Sequence, residues 1–184
     1  MKNAIVIILF CLPLFSFSQT KAEFELTPSG FVNKADHSLD YIVLDYQGTA
    51  KQELFKKTLK YLNKQFDSPK DALSVIENES ITINAIDGRV PVQGYSGSFN
   101  LNYSLTIEFK DDKLRIIAPS INAIYGFPVR DRINIGLIGN GFNKTIYSEN
   151  GKIKLEKTKQ VLELIFKAWI VKIRTAVENQ QGDW

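Results

Sequence analysis

A stretch of strict alternation around one tight turn constrains the fold more than any other feature of this sequence. Apolar and polar residues alternate over residues 104–110 and again over 113–116, and only Asp111 and Asp112 separate the two runs. Alternation with a period of two is typical of a strand with one buried and one solvated face, and a two-residue connection makes the strands antiparallel. We therefore expect an antiparallel sheet whose helices cover a single face.

Four further segments are predicted to be strands because they are short and rich in β-branched or aromatic residues. They cover residues 41–46, 74–77, 81–86 and 133–138. Asp87 and Gly88 follow the third segment and form a two-residue hairpin signal. Two alternatives stay open for residues 90–94, which either pair back on the preceding strand or continue it as a bent strand.

An amphipathic helix is predicted after the first of these strands. Thr49 is expected to be its N-cap, with Gln52 three residues later completing a capping box. The buried stripe is predicted to contain apolar residues at helical spacing, and the lysines on the opposite side form a solvated face. The stripe consists of Phe55, Leu59, Leu62 and Phe66, and the lysines are Lys56, Lys57, Lys60 and Lys64.

A second, longer helix is predicted from Leu155 to about Asn179, and it is apolar on two sides. Its core stripe comprises Leu155, Leu162, Ile165, Phe166, Trp169, Ile173 and Ala176. A second apolar strip lies some 150° or more away by the helical period; it consists of Leu164, Ala168 and Val171. The second strip predicts a further partner, either a second copy of the chain in a dimer or the extended segment before residue 40.

The first eighteen residues have the form of an export signal. Lys2 precedes an uncharged apolar run over residues 4–15, and small residues at positions 16 and 18 predict cleavage between Ser18 and Gln19. A run this short does not span a bilayer as a helix. Lipidation of Cys11 is the alternative, although Phe10 stands where a lipobox needs a small residue. We expect the mature protein to be exported, either to the periplasm or into the medium.

Cleavage would remove the only cysteine, so the mature chain must be stabilised by its core and not by disulfides. Residues 19–40 show no periodicity and are predicted to be an extended lead-in segment. Residues 41–179 are predicted to form a single α+β domain, followed by a tail over residues 180–184. Its architecture would be a curved antiparallel sheet with two helices on one face and extra strands before the C-terminal helix.

Within this domain the order of motifs resembles a known family. A strand is followed by a helix that ends in Leu-Asn-Lys-Gln-Phe, then by SVIENES, and then by NYSLTIEFKDDKLRI. This order, over about residues 40–120, resembles exported bacterial domains of unknown function with a TATA-binding-protein-like fold. The resemblance implies a β-α-β-β-β-β-α arrangement. It implies neither catalytic residues nor DNA binding, since a fold does not carry a function with it.

Candidate chemistry is sparse. His37 is the sole histidine and lies beside Asp36 and Asp40 in the lead-in segment, where it can join no Ser-His-Asp or Cys-His arrangement unless that segment folds back. Asp111 and Asp112 are interpreted as turn residues, because catalytic carboxylates need convergent placement in a protected site. The glycine-rich residues 139–145 lack the Gly-Lys pair of a phosphate-binding loop. We predict no metal site, cofactor or catalytic residue.

An aromatic series offers a more specific hypothesis. Tyr95, Phe99 and Tyr103 are predicted to line a groove for a peptide or glycan on the open side of the curved sheet, with core packing as the alternative. The series continues with Tyr125, Phe127, Phe142 and Tyr147.

Three functions follow from these patterns. We expect a non-enzymatic envelope module that binds a protein partner or a small ligand. The alternatives are a hydrolase whose carboxylates converge only in three dimensions, and a peripheral membrane protein that uses its basic C-terminal helix. A net charge of only +3 for the whole chain argues against nucleic-acid binding.

Overall fold

The computed structural model describes residues 22–126, 132–136 and 144–179. Three helices lie in this part of the chain: α1 Lys51–Gln65, α2 Pro69–Ala72 and α3 Glu156–Glu178. The strands are β1 Phe24–Thr27, β2 Gly30–Asn33, β3 Tyr41–Asp45, β4 Leu73–Ile76, β5 Ser80–Pro91, β6 Ser98–Lys110, β7 Lys113–Ile117, β8 Ser120–Gly126, β9 Arg132–Asn134 and β10 Lys144–Thr145. The predicted export signal, residues 127–131 and 137–143, and the tail lie outside the described residues.

The main sheet is built around β6, which pairs with β5 along one side. On its other side β6 pairs with β8 over its first half and with β7 over its second half. One end of the sheet therefore has the order β3-β7-β6-β5-β4, while β9 and β10 extend the other end beyond β8. These pairings are antiparallel except for the short β9–β10 pair.

Every second residue of β6 is buried, which confirms the alternation predicted from the sequence. Leu101, Leu105 and Ile107 are at most 1% exposed, whereas the intervening side chains are polar and half-exposed. Lys110 and Lys113 close the β6–β7 hairpin as its last pair, with Asp111 and Asp112 between them. Both α1 and α3 contact the buried face, so the expected α+β fold with both long helices on one face is confirmed.

The hairpin predicted at Asp87 and Gly88 is wrong. β5 runs through these residues and stays paired with β6, from Ser80 opposite Glu108 to Pro91 opposite Ser98. The register shifts between Asp87 and Val90, and Arg89 has a φ of 65°. The extra residue is accommodated by a β-bulge, which bends a strand without ending its pairing. Of the two alternatives for residues 90–94, the bent strand is correct for residues 90 and 91, with which β5 ends.

The predicted capping box of α1 is also wrong. Ala50 is the N-cap and makes no side-chain capping bond. The first turn is capped by the tip of the β6–β7 hairpin. Lys51 donates its backbone N–H to Asp111 Oδ1 at 2.9 Å, and Gly48 donates its own to Asp112 Oδ1 at 2.7 Å. A carboxylate at this position satisfies a free N–H group and interacts favourably with the helix dipole.

The buried stripe of α1 is rotated slightly from the predicted one. Phe55 and Leu62 are buried as expected, but Leu59 and Phe66 are only partly buried. Leu54 and Thr58 are fully buried instead. Thr58 is accommodated because its hydroxyl donates to the Leu54 carbonyl oxygen at 2.8 Å. The helix therefore packs on the sheet through four buried residues, of which two belong to the predicted stripe.

The lead-in segment contains a β-hairpin that was not predicted from its sequence. β1 and β2 form an antiparallel hairpin, here called the N-terminal hairpin, and it packs on α3. Phe24 and Leu26 are buried, and the Phe31 ring meets the Phe166 ring edge-on at 4.9 Å between centroids. The backbone N–H of Leu26 donates to Glu163 Oε1 at 3.0 Å, which ties the hairpin to the helix.

Charged groups reinforce this junction. Glu23 pairs with Lys34 at 2.9 Å and with Lys167 of α3 at 2.6 Å. The hydrogen bonds from Lys167 and Lys34 hold the pKa of Glu23 well below its ordinary value, at about 2. Lys159 bridges Glu163, at 2.6 Å, and Glu25, at 3.6 Å. The N-terminal hairpin is thus an integral layer of the domain.

No helix in the described part of the chain is long and apolar enough to cross a membrane.

Candidate functional site

The structure places the predicted aromatic groove residues in the core. Phe99 and Tyr103 are 3% and 0% exposed, because their positions on β6 face the helices. Tyr95 is half-buried and meets Phe99 edge-on at 5.0 Å, and the Lys144 ammonium lies 4.1 Å from the Tyr95 ring centre. Tyr147 is buried too, whereas Phe127 and Phe142 lie outside the described residues. Phe99 and Tyr103 therefore pack in the core, and the groove hypothesis does not apply to them.

A polar chain under α3 involves one of these aromatics. Trp169 donates its indole N–H to the Tyr103 hydroxyl oxygen at 2.8 Å, and the carboxyl of Asp87 lies near the same hydroxyl. Burial raises the pKa of Asp87, and it also raises the pKa of Tyr103. A cleft of about 540 Å³, the Asp87 cleft, opens here, and the Phe66 and Trp169 rings stack in its wall at 6.1 Å.

Sequence reasoning missed Asp87 as a site residue because it was interpreted as part of a turn. The available signal was an acidic residue inside a strand next to a bulge, where bulges often re-aim side chains toward functional sites. Asp67 and Asp71 also line the Asp87 cleft, but both are exposed. Within the described ranges, Asp87 is therefore the half-buried carboxyl of this cleft and the two others are solvated.

Other predicted candidates lie at the surface. His37 is exposed and lies 3.0 Å from Glu25. Among the residues that the structure describes, no three His, Cys, Asp or Glu side chains are grouped so that they could hold a metal ion. Asp111 and Asp112 are turn residues, as interpreted, and they also cap α1.

The second strip of α3 is exposed. Leu164 is 61% and Val171 is 52% exposed, and Ala168 between them is exposed as well. The N-terminal hairpin packs beside this strip without covering it. Partner binding by these residues stays a prediction.

Several basic side chains of α3 are engaged within the protein. Lys159 and Lys167 pair with glutamates, and the Lys172 ammonium lies 5.5 Å from the centre of the Trp169 ring. Their charges are consequently less available to a membrane surface than the sequence suggests.

The face of the main sheet opposite α1 and α3, here called the open face, has a different character. Its centre carries serine, threonine and asparagine side chains that hydrogen-bond across the strands. Thr82 and Thr106 lie 3.0 Å apart between their hydroxyl oxygens, and Ser104 donates to Asn84 at 2.9 Å. Asn122 donates to Asn102 at 3.2 Å. β8, β9 and β10 lengthen the sheet at its edge, so these described strands do not fold over the open face.

At one end of the open face lies a cavity of about 560 Å³, the sheet-face cavity. One row of its lining crosses all five strands in register: Val43, Arg115, Glu108, Ser80 and Ile76. At the centre of the row Arg115 and Glu108 form an ion pair, with 43% and 38% of their side chains exposed. The Arg115 guanidinium also lies 5.1 Å from the centre of the Tyr41 ring.

The rims of this row are apolar and exposed. Val43 on β3 is 41% exposed and Ile76 on β4 is 59% exposed, although residues of their type are usually buried. The next row toward the hairpin tip carries Lys110 and Lys113, and Lys51 of α1 lines the cavity beside them. The cavity thus combines an ion pair, two apolar rims and a cluster of lysines. A largely apolar lining with a few convergent polar groups is the usual composition of a ligand site.

Comparison with known proteins bears on the fold. The model of a domain of unknown function (DUF4468) with TBP-like fold matches residues 41–123. A TBP-like protein from Parabacteroides distasonis has 14% sequence identity and a TM-score of 0.54, over 76% of this chain and 91% of that one. A DUF4468 family protein from Bacteroides ovatus has 8% identity and a TM-score of 0.47, over 78% and 88%. No curated protein matches the chain. The resemblance predicted from the sequence is confirmed: residues 41–123 match the DUF4468 family model, and the fold is TBP-like.

Proposed function

We propose that this protein is an exported, non-enzymatic binding module of the bacterial envelope and that it binds its ligand on the open face of the sheet. One observation carries the proposal. The open face places a cavity of about 560 Å³ over a row of side chains that includes two exposed aliphatic residues, Val43 and Ile76. Exposed apolar side chains at the rims of a concave surface are typical of ligand-binding grooves and interaction sites.

The chemistry of the open face supports binding over catalysis. Its described side chains supply hydroxyl, amide, guanidinium and ammonium groups, which recognise a ligand by hydrogen bonds and charge. Catalysis of group transfer needs a nucleophile beside a base that is itself oriented by a third group. In the described residues of the open face, the carboxylate of Glu108 is ion-paired with Arg115 and partly solvated.

Export is proposed from the N-terminal residues. The positive Lys2, the apolar run over residues 4–15 and Ser18 support cleavage before Gln19. Expression of the whole sequence in a bacterial host, followed by fractionation and mass spectrometry, tests this. We expect a product outside the cytoplasm whose first residue is Gln19. An intact Met1 in the cytoplasmic fraction, or a lipid on Cys11, would contradict the proposal.

Binding on the open face can be tested by site-specific photo-crosslinking in the envelope. A photoreactive amino acid at Ser104 or Ser80 would face the proposed ligand, whereas the same residue at Lys60, on the outer side of α1, serves as the control. We expect mass-shifted adducts at the two sheet positions and none at the control position. Equal adduct yields at all three positions, or adducts at Lys60 alone, would refute binding on the open face.

A further inference from the structure

We propose that the sheet-face cavity recognises short apolar peptides through one backbone amide and a free C-terminal carboxylate. This inference rests on the proposed binding function of the open face and specifies its ligand. Four features of the cavity support it: the unused atoms of its ion pair, the position of its apolar rims, the distance along the strands between the ion pair and the lysines, and its excess of positive charge.

The ion pair at the centre of the cavity leaves one acceptor and one donor free. Arg115 directs both Nε and Nη2 to the same oxygen of Glu108, Oε2, with the Nε contact at 2.7 Å. Within the described residues, Glu108 Oε1 and Arg115 Nη1 therefore have no protein partner. An amide offers an N–H donor and a carbonyl acceptor side by side, which matches this pair. An alkyl chain laid over the same pair would remove its water without replacing the hydrogen bonds, at a cost.

The apolar rims fit the side chains of an extended peptide. Val43 and Ile76 lie two strands to either side of β6, each roughly 10 Å from it across the sheet. Successive side chains of an extended chain point in opposite directions. A peptide that runs along β6 would therefore direct one apolar side chain toward each rim, and a single-chain lipid would reach only one.

The lysines lie where the end of such a peptide would fall. Lys110 and Lys113 are two residues beyond Glu108 and Arg115 along their strands, so the two rows are about 7 Å apart. That distance corresponds to about two residues of extended peptide. An amide held at the ion pair would thus leave a C-terminal carboxylate next to the lysine row.

The charge of the cavity favours an anion at this place. Four basic and two acidic side chains line it. Lys110 and Lys113 face each other directly across the hairpin, an arrangement that repels unless an anion lies between the two ammonium groups. Lys51 adds a third cation, and none of the three belongs to an ion pair of the described residues. Glu79 lines the cavity and Asp45 lies beside Lys113 in register, so the local excess is positive but modest.

The experiment compares two peptides that differ only at the C-terminus. Acetyl-Leu-Leu-Ala, whose two adjacent leucines point in opposite directions when the peptide is extended, is titrated into the isotope-labelled exported protein as the free acid and as the C-terminal amide, and backbone NMR shifts are followed. We expect both peptides to shift residues of β3, β6 and β7, with the acid binding about fivefold more tightly at low salt. At 0.5 M salt the difference should fall below about twofold, because exposed charges are screened.

Two variants assign the effect to the cavity. The double substitution Lys110→Gln and Lys113→Gln should abolish the preference for the acid and leave binding of the amide unchanged. Lys60→Gln, on the outer face of α1, should retain the preference. Equal binding of acid and amide to the unmodified protein, shifts that map to the Asp87 cleft, or no binding of either peptide would each overturn the inference. Binding on the open face itself is decided separately, by the crosslinking at Ser104 and Ser80.

Discussion

The capping of α1 by a distant hairpin leads to the sharpest prediction about stability, because sequence and structure assign the cap to different residues. The sequence pattern assigns it to Thr49, and the structure assigns it to Asp111, whose Oδ1 accepts the N–H of Lys51 from 60 residues away. Thr49 takes part through its backbone only, accepting from the Asp112 N–H at 2.9 Å. Truncation of each side chain to alanine should therefore have unequal effects.

The magnitude follows from the interactions that each truncation removes. Asp111→Ala removes a capping hydrogen bond, which contributes about 1 kcal/mol, and a negative charge at the helix N-terminus, which adds a few tenths at an exposed position. We expect a loss of about 1 to 1.5 kcal/mol in the free energy of unfolding, or a Tm lower by about 3 to 5 °C for a chain of this size. Thr49→Ala should cost less than about 0.5 kcal/mol, since its backbone bonds survive.

Urea unfolding measures both effects, with tryptophan fluorescence and far-UV circular dichroism as coincident probes. Asp111→Asn provides a matched variant, because it keeps an acceptor oxygen and loses only the charge. Its cost should lie between those of the two alanine variants. A Thr49→Ala variant that is less stable than Asp111→Ala would refute the assignment of the cap to the hairpin, and so would an Asp111→Ala variant with an unchanged midpoint.

Three further predictions concern the core, the charged junction and the exposed strip. Leu62→Ala should lower the free energy of unfolding by about 2 to 5 kcal/mol because Leu62 is fully buried, and Leu59→Ala should lower it by about half as much because Leu59 is only partly buried. Equal losses for the two variants in urea unfolding would contradict the observed buried stripe. The pKa of Glu23 is depressed to about 2, so its pairing stabilises the fold above its ordinary pKa, and the stabilisation is lost as pH falls toward 2. Because solvent screens its lysine partners, the contribution of this pairing to the free energy of unfolding is about 1 to 2 kcal/mol. Glu23→Gln should therefore have a lower urea midpoint than the unmodified protein at pH 6. At pH 2 the two midpoints should be nearly equal. Finally, the pair Leu164→Glu and Val171→Glu should leave the fold intact, changing stability by less than about 0.5 kcal/mol, but should abolish association through the exposed strip, which sedimentation would measure as the loss of a dimer. A monomeric unmodified protein whose melting is also unchanged by the pair would leave the strip without a role.

Much of the architecture could be predicted from local patterns. The alternation around Asp111 predicted the β6–β7 hairpin and its buried face, and the apolar run near the C-terminus predicted α3 to within about one residue at each end. These predictions succeed because a period of two or of 3.6 follows from the backbone geometry of a single segment. The exposure of Leu164 and Val171 was predictable for the same reason, since helical spacing alone separates them from the core stripe.

The candidate site was less predictable, because it is assembled from residues that are distant in sequence. Tyr103 was expected on an open groove, but the same aromatic character serves in the core, and only the side of the sheet on which α3 packs distinguishes the two. Asp87 has the sequence signature of a turn, yet β5 stays paired with β6 through this position, which therefore forms a bulge and leaves Asp87 half-buried.

The sequence by itself therefore determined the type and order of the main helices and strands and the buried face of β6, β7 and α3, since alternation and helical spacing follow from the backbone geometry of one segment. Tertiary structure alone decided how the elements complete one another: Asp111 caps α1, the N-terminal hairpin covers part of α3, and Val43 and Ile76 reach the same cavity from opposite edges of the sheet. The physical reason is that hydrogen bonds, ion pairs and cavities join atoms across space. Their partners lie tens of residues apart, where no local period connects them.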